Sequence, residues 1–166
     1  MKRLASRTAQ YPLRAEFAVS YNEFAIDSVT GMKTTFGSSV ANSTDPLEPA
    51  LNAGTGITFD VIPMPVGAVI TGGELIVETA YVGIGSSATL SVGIAGNTTA
   101  LVNVMDLDAA AAGSSLAFSL AAPLLSNNGQ NLRLTIAGMT PAATAGKVRV
   151  RVHYTIDGRT SEIQIT

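Results

Sequence analysis

Apolar and polar positions alternate by twos over most of the chain beyond residue 56. From Gly73 to Val82, Leu75, Val77, Thr79 and Tyr81 share one side. Ala88, Leu90, Val92 and Ile94 do the same. Side chains two apart on a strand point the same way, so these runs predict half-buried β-strands. The clearest run closes the chain: Val148, Val150, Val152, Tyr154 and Ile156 alternate with Lys147, Arg149, Arg151, His153 and Thr155. One face belongs in a core, the other in water or against an acidic partner. Ile57, Phe59 and Val61 repeat the pattern, as do Leu132, Leu134 and Ile136. Phe17, Val19 and Tyr21 alternate earlier, and a phase slip at Asn22-Glu23 predicts a bulge or turn.

Turn chemistry separates these runs. Pro63 and Pro65 end a strand, since proline cannot donate to a ladder. Val66 to Ile70 reads as a short strand and Gly72-Gly73 as a turn into the long one. Gly83, Gly85 and Ser86 mark a turn, as does Ala95-Gly96-Asn97-Thr98. The alanine run before Gly113 predicts one or two helical turns capped by Asp106 or Asp108. Leu116, Phe118 and Leu120 alternate, and loops follow at Ser126 to Gly129 and Gly138 to Gly146. Asp157-Gly158 is a hairpin signal with Ser161 to Ile165 as the returning strand. About seven to nine short strands with regular turns, and no long amphipathic helix, predict an all-β chain. The expected architecture is an antiparallel β-sandwich, jelly-roll-like, with an extended N-terminal arm. Spacing alone does not separate a jelly roll from an immunoglobulin-like sandwich.

Residues 30–56 are rich in Gly, Ser, Asn and Pro and poor in apolar residues, so the arm-to-core boundary is expected near residue 55. That divides the chain into an arm and linker, 1–55, contacting neighbouring subunits, and a sandwich, 56–166. The first 14 residues carry Lys2, Arg3, Arg7 and Arg14 and no acid. They read as an arm that orders on a partner.

Composition sharpens the picture. The 166 residues are 46% hydrophobic and 13% charged. About 25% charged is usual, so much of this surface is small and neutral, as in proteins that assemble. A net charge of −2 argues against a dedicated nucleic-acid binder. No apolar run reaches the roughly 18 residues of a membrane helix, so no membrane partner is expected. There is no cysteine, which excludes disulfides and thiolate metal sites.

Candidate chemistry is sparse, and no catalytic residue, cofactor or metal is expected. His153 is the single histidine, in phase with Lys147, Arg149 and Arg151, with no partners for a triad or metal site. Asp106 and Asp108 form an Asp-x-Asp pair, but four alanines follow and favour a loop or cap role over calcium. Glu74 and Glu78 lie on one strand face, placed to pair with Arg149 or Arg151 across strands. The glycines form no phosphate loop, lacking a following helix and lysine. Candidate partner-binding residues are therefore the cations Lys2, Arg3, Arg7, Arg14, Lys147, Arg149 and Arg151, and a cross-strand ion-pair face is the competing reading for the last three.

The segment Ile62 to Tyr81, a proline-bounded P-x-G-A-x-I turn leading into a long strand ending in an aromatic, resembles a pattern of structural proteins of tailed-phage virions. Ala88 to Leu101 is similar to their A-T-x-x-V-G-x-x-G-x-x-x-A-x-L stretch, and Thr144 to Tyr154 to their closing T-A-G-K-V-R-V-x-V-x-Y. The similarity spans roughly residues 57–157. It implies a β-sandwich that decorates or cements an icosahedral head on the outer capsid surface, with the major capsid protein and further copies of itself, as dimer or trimer, as partners. The alternative is a head-fibre, tail or host-surface carbohydrate-binding sandwich. It is the weaker reading, since sugar platforms need exposed aromatics; tryptophan is absent and Tyr81 and Tyr154 are in phase with buried positions. A hydrolase is disfavoured by the single histidine and the lack of a nucleophile motif.

Overall fold

The computed structural model describes residues 12–39, 56–120, 124–126 and 129–156. Eleven strands lie among them: β1 (Leu13–Ser20), β2 (Phe24–Ile26), β3 (Lys33–Thr35), β4 (Ile57–Ile62), β5 (Ala68–Val82), β6 (Thr89–Ile94), β7 (Asn97–Asp106), β8 (Ser115–Ala117), β9 (Leu124–Ser126), β10 (Leu132–Ala137) and β11 (Ala145–Ile156). One sheet runs β1-β11-β5-β8, with β9 also on β5; the other runs β4-β10-β6-β7. β2 and β3 form a separate hairpin.

The pairs nest. β6 pairs with its immediate successor β7, β5 with β8 and β9, β4 with β10, and β1 with β11, all antiparallel. A ribbon of four nested antiparallel pairs, rolled so that successive pairs alternate between sheets, is a jelly roll. The all-β sandwich expectation therefore holds, and the strand order resolves what spacing left open.

The alternation of each strand faces the core as read. Val148, Val150 and Val152 of β11 lie beside Val77 and Leu75 of β5, all 0% exposed. Across the sandwich, Leu134 sits between Phe59 and Val92, again fully buried. Full burial of such a side chain contributes about 1.5–3 kcal/mol, and these strands supply most of the core. Where edge strands β1 and β4 face each other, Phe36 fills the gap. Its ring is stacked on Phe59 at 4.0 Å and lies 6.0 Å from Phe17.

Four expectations are corrected. Residues 12–39 are built into the sandwich rather than an arm ending near residue 55. The Phe17–Val19 alternation makes β1 a full sheet edge, and Phe36 is 2% exposed. Gly72-Gly73 makes no turn, since β5 runs through it. A Cβ on Gly73 would lie 2.4 Å from the Arg151 carbonyl oxygen and 2.5 Å from the Phe118 ring, so glycine seats an aromatic instead. Thr79 is exposed rather than in line with Val77. β5 spends an extra residue there, with Lys147 opposite Thr79 and Val148 opposite Val77. The alanine run forms no helix; Asp106 Oδ1 accepts the amides of Asp108 and Ala109 (3.0 and 3.2 Å), and the Gly113 amide donates to Val77 O, leaving only turns. The expected Ser161 to Ile165 strand, the Asp157-Gly158 turn and residues 1–11 and 40–55 of the arm lie outside the described residues.

Candidate interaction surfaces

The outer face of the β1-β11-β5 layer carries an ionic ladder. Its geometry follows from register. Arg151 stands opposite Glu74 on one side and Glu16 on the other. It donates to both, Nη1 to Glu74 Oε1 at 2.5 Å and Nε to Glu16 Oε1 at 2.6 Å. Arg149 reaches diagonally to Glu78 Oε1 (2.5 Å) and Glu16 Oε2 (3.3 Å). Lys147 Nζ closes the row on Glu78 Oε2 at 2.8 Å, and Arg14 joins at Glu16. The Lys147 and Arg149 hydrogen bonds hold the Glu78 carboxyl below the ordinary range, against a small opposing effect of burial.

Four cations thus meet three carboxylates on one face. The sequence places Glu74 and Glu78 in this ladder correctly. Glu16 is the member it misses; the available signal is its phase, opposite to Phe17 and Val19. Lys147, Arg149 and Arg151 are engaged by the chain's own acids, and Arg14 is the most exposed cation of the row, 51% at the side chain. Lys2, Arg3 and Arg7 lie outside the described residues. His153 shares the face, opposite Gly72 and Arg14. Asp106 is engaged in capping its turn, and the described residues hold no cluster of three or more His, Asp or Glu able to take a metal ion.

The second surface is the β2–β3 hairpin. Phe24 and Ile26 are two apart and share its outer face, 67% and 64% exposed, with Val29 at 60% in the turn. Lys33 Nζ lies 4.8 Å over the Phe24 ring. Ala25 points the other way and packs on the core. The hairpin is fixed in place by Asp27, a residue the sequence reading passes over. The residue is 1% exposed, and its carboxylate accepts four hydrogen bonds. The donors are the Val29 amide (3.3 Å), the Thr30 amide (3.1 Å), the Thr30 hydroxyl (2.5 Å) and the amide of Thr58 on β4 (3.0 Å). Burial alone raises this carboxyl; the four donors outweigh it and hold it below its ordinary value. Ser28 completes the seam, its amide and hydroxyl both donating to Thr58 O. The large exposed apolar residues therefore sit on a braced hairpin, not on a loose loop.

No protein-family model and no curated protein matches this sequence. Solved structures share the fold, among them two phage capsid chains. One is a chain of the cyanophage Pam1 capsid asymmetric unit, with a TM-score of 0.57 and 19% identity, covering 93% of this chain and 94% of that one. The other is a chain of the acid-stable capsid of Helicobacter pylori bacteriophage KHP30, at a TM-score of 0.52 and 11% identity, covering 87% and 89%. The jelly roll described above is thus similar over nearly its whole length to folds found in two phage capsids.

Proposed function

We propose that this chain is a structural protein of a phage virion, a decoration or cement protein on the outer surface of the head that stabilises capsomer seams. The observation that carries the reading is the jelly-roll likeness to chains of two phage capsids, at 93% and 87% coverage of this chain. The phage-like turn and strand motifs between Ile62 and Tyr154 support it independently of fold. So does the braced apolar face of Phe24 and Ile26, a surface suited to burial against the major capsid protein. The action is mechanical: apolar and main-chain contacts bury area, and many copies on one shell give avidity beyond any single contact. The cations Lys2, Arg3 and Arg7 contribute a basic attachment segment to neighbouring subunits, and Arg14, at the start of β1, adjoins it on the sandwich. The ladder cations Lys147, Arg149 and Arg151 keep β1 and β5 on β11, and their role towards a partner is secondary.

The test is co-sedimentation of the purified chain with heads that lack it. The version for comparison is truncated only through residue 11, because residues 12–39 belong to the sandwich. Saturable binding of the full chain, lost or weakened on truncation, supports both the head-surface role and the arm. Equal binding of both overturns the arm assignment and leaves the role. Binding of neither overturns the head-surface role.

A further inference from the structure

The outer edge of β1 is free among the described residues, and three independent features of that edge point to one occupant. The first is backbone polarity. The Tyr21 amide donates to Gly146 O, and the β1–β11 register runs without a shift from Leu13 opposite Tyr154 to Ser20 opposite Lys147. Odd-numbered residues of β1 therefore bond to β11, and Arg14, Glu16 and Ala18 turn their N–H and C=O groups outward. No described residue bonds to these groups.

The second feature is incomplete burial. The core-facing residues of β1 lose cover toward the strand's start. Val19 is 1% exposed, Phe17 and Ala15 are half-buried, and Leu13 is 37% exposed. Their neighbours on β11, Val148, Val150 and Val152, are all fully buried. The inner layer thus opens along β1 from Phe17 to Leu13, whereas β11 stays closed from Val148 to Val152 and opens only at half-buried Tyr154, opposite Leu13.

The third is self-complementary charge. Two copies of an edge pair antiparallel across a two-fold axis, and outward-bonding residues must meet outward-bonding residues. An axis at Arg14 opposes two arginines, and one at Glu16 opposes two glutamates. An axis at Phe17 leaves both charges facing neutral residues. An axis at Ala15 sets Arg14 opposite Glu16 of the second copy, twice, and sets exposed Leu13 beside Phe17 of the second copy. Opposite charges directly across strands stabilise, and like charges destabilise.

We propose that β1 is a self-association edge, pairing with β1 of a second copy across a two-fold axis at Ala15 so that the two β1-β11-β5 sheets become continuous. This does not depend on the virion reading. A contact of this length is small beside a standard interface, so the free protein is expected to dimerise weakly, with a dissociation constant on the order of tens of micromolar.

The experiment is sedimentation equilibrium of the full chain, with R14E and L13K as variants. Both substitutions fall on exposed side chains at the start of the strand, so unchanged thermal unfolding serves as the folding control. The expected result is a monomer–dimer equilibrium weakened at least about tenfold by each variant, since R14E opposes Glu16 of the second copy and L13K places a charge against Phe17. Amide exchange adds a readout specific to the register: the Arg14, Glu16 and Ala18 amides should gain protection as concentration rises. A chain that stays monomeric to about 100 micromolar overturns the proposal. So does an oligomer of any order that both variants leave unchanged. Protection of these three amides in dilute monomer also overturns it, because the edge would then be filled by the chain's own terminal segments.

Discussion

Replacing Asp27 should loosen the hairpin that carries the exposed apolar face. In Asp27→Ala the Thr58 amide loses its acceptor while Thr58 stays only 3% exposed. A buried amide left without a partner costs about 1–3 kcal/mol. The Val29 and Thr30 amides lie nearer the surface, where water replaces the carboxylate, and add a few tenths of a kcal/mol between them. The expected loss is about 2–3 kcal/mol, read as a drop of about 1 M in the urea midpoint with an unchanged slope. Asp27→Asn keeps one acceptor oxygen but loses the charge, and should cost about half as much. The pH dependence has a fixed sign. The folded carboxyl lies below its ordinary value of 3.8, so its contribution is full above the unfolded value and is lost as pH falls through the lower folded one. The gap between the native protein and Asp27→Asn should therefore be constant near neutral pH and close below about pH 4. A loss under about 0.5 kcal/mol in Asp27→Ala, or a gap that widens in acid, would refute the assignment of Asp27 as the hairpin's anchor.

Four further outcomes follow from the same structure. Phe36→Ala opens the gap between β1 and β4 beside Phe59 and should cost about 3–5 kcal/mol by urea denaturation. Gly146→Ala places a Cβ 2.5 Å from the Tyr81 ring at a φ of 144°, and should lower stability by about 2–4 kcal/mol, again read from the urea midpoint. Glu16→Gln removes the acid that takes both Arg149 and Arg151; these pairs are partly solvated, so the cost should stay near or below about 1 kcal/mol and shrink in 1 M salt. Its clearer sign should be faster amide exchange confined to β1. Because Glu78 is also held low, acid should weaken this ladder as pH falls through its depressed folded value, and leave it intact above the ordinary carboxylate range.

The strands that alternate cleanly were legible because their partners bury the same phase. Val148 to Val152 and Leu132 to Ile136 needed no tertiary knowledge, and Glu74 with Arg151 followed from phase and charge alone. What escaped was set by contacts distant in sequence. Gly73 looks like a turn until Phe118, 45 positions on, is seen to occupy the space above it. Thr79 fits the inner phase until β11 fixes a register that makes β5 one residue longer. Asp106 and four alanines suit a helix locally, but their neighbours are tied down at Val77. Asp27 carried the faintest signal, an Asp-Ser-Val-Thr-Gly turn, because its burial depends on β4, some 30 residues later. The candidate surfaces were half legible: the cations were named, whereas Glu16, which ties them to β1, and the Phe24–Ile26 face were not.

The place proposed for this jelly roll is the outside of a phage head. Electron cryomicroscopy of heads assembled with and without the chain tests it most directly. Difference density of jelly-roll size is expected on the outer surface, at capsomer seams, with the β2–β3 hairpin turned toward the shell. Heads that are identical with and without the chain, or density confined to the inner surface or the tail, would contradict it.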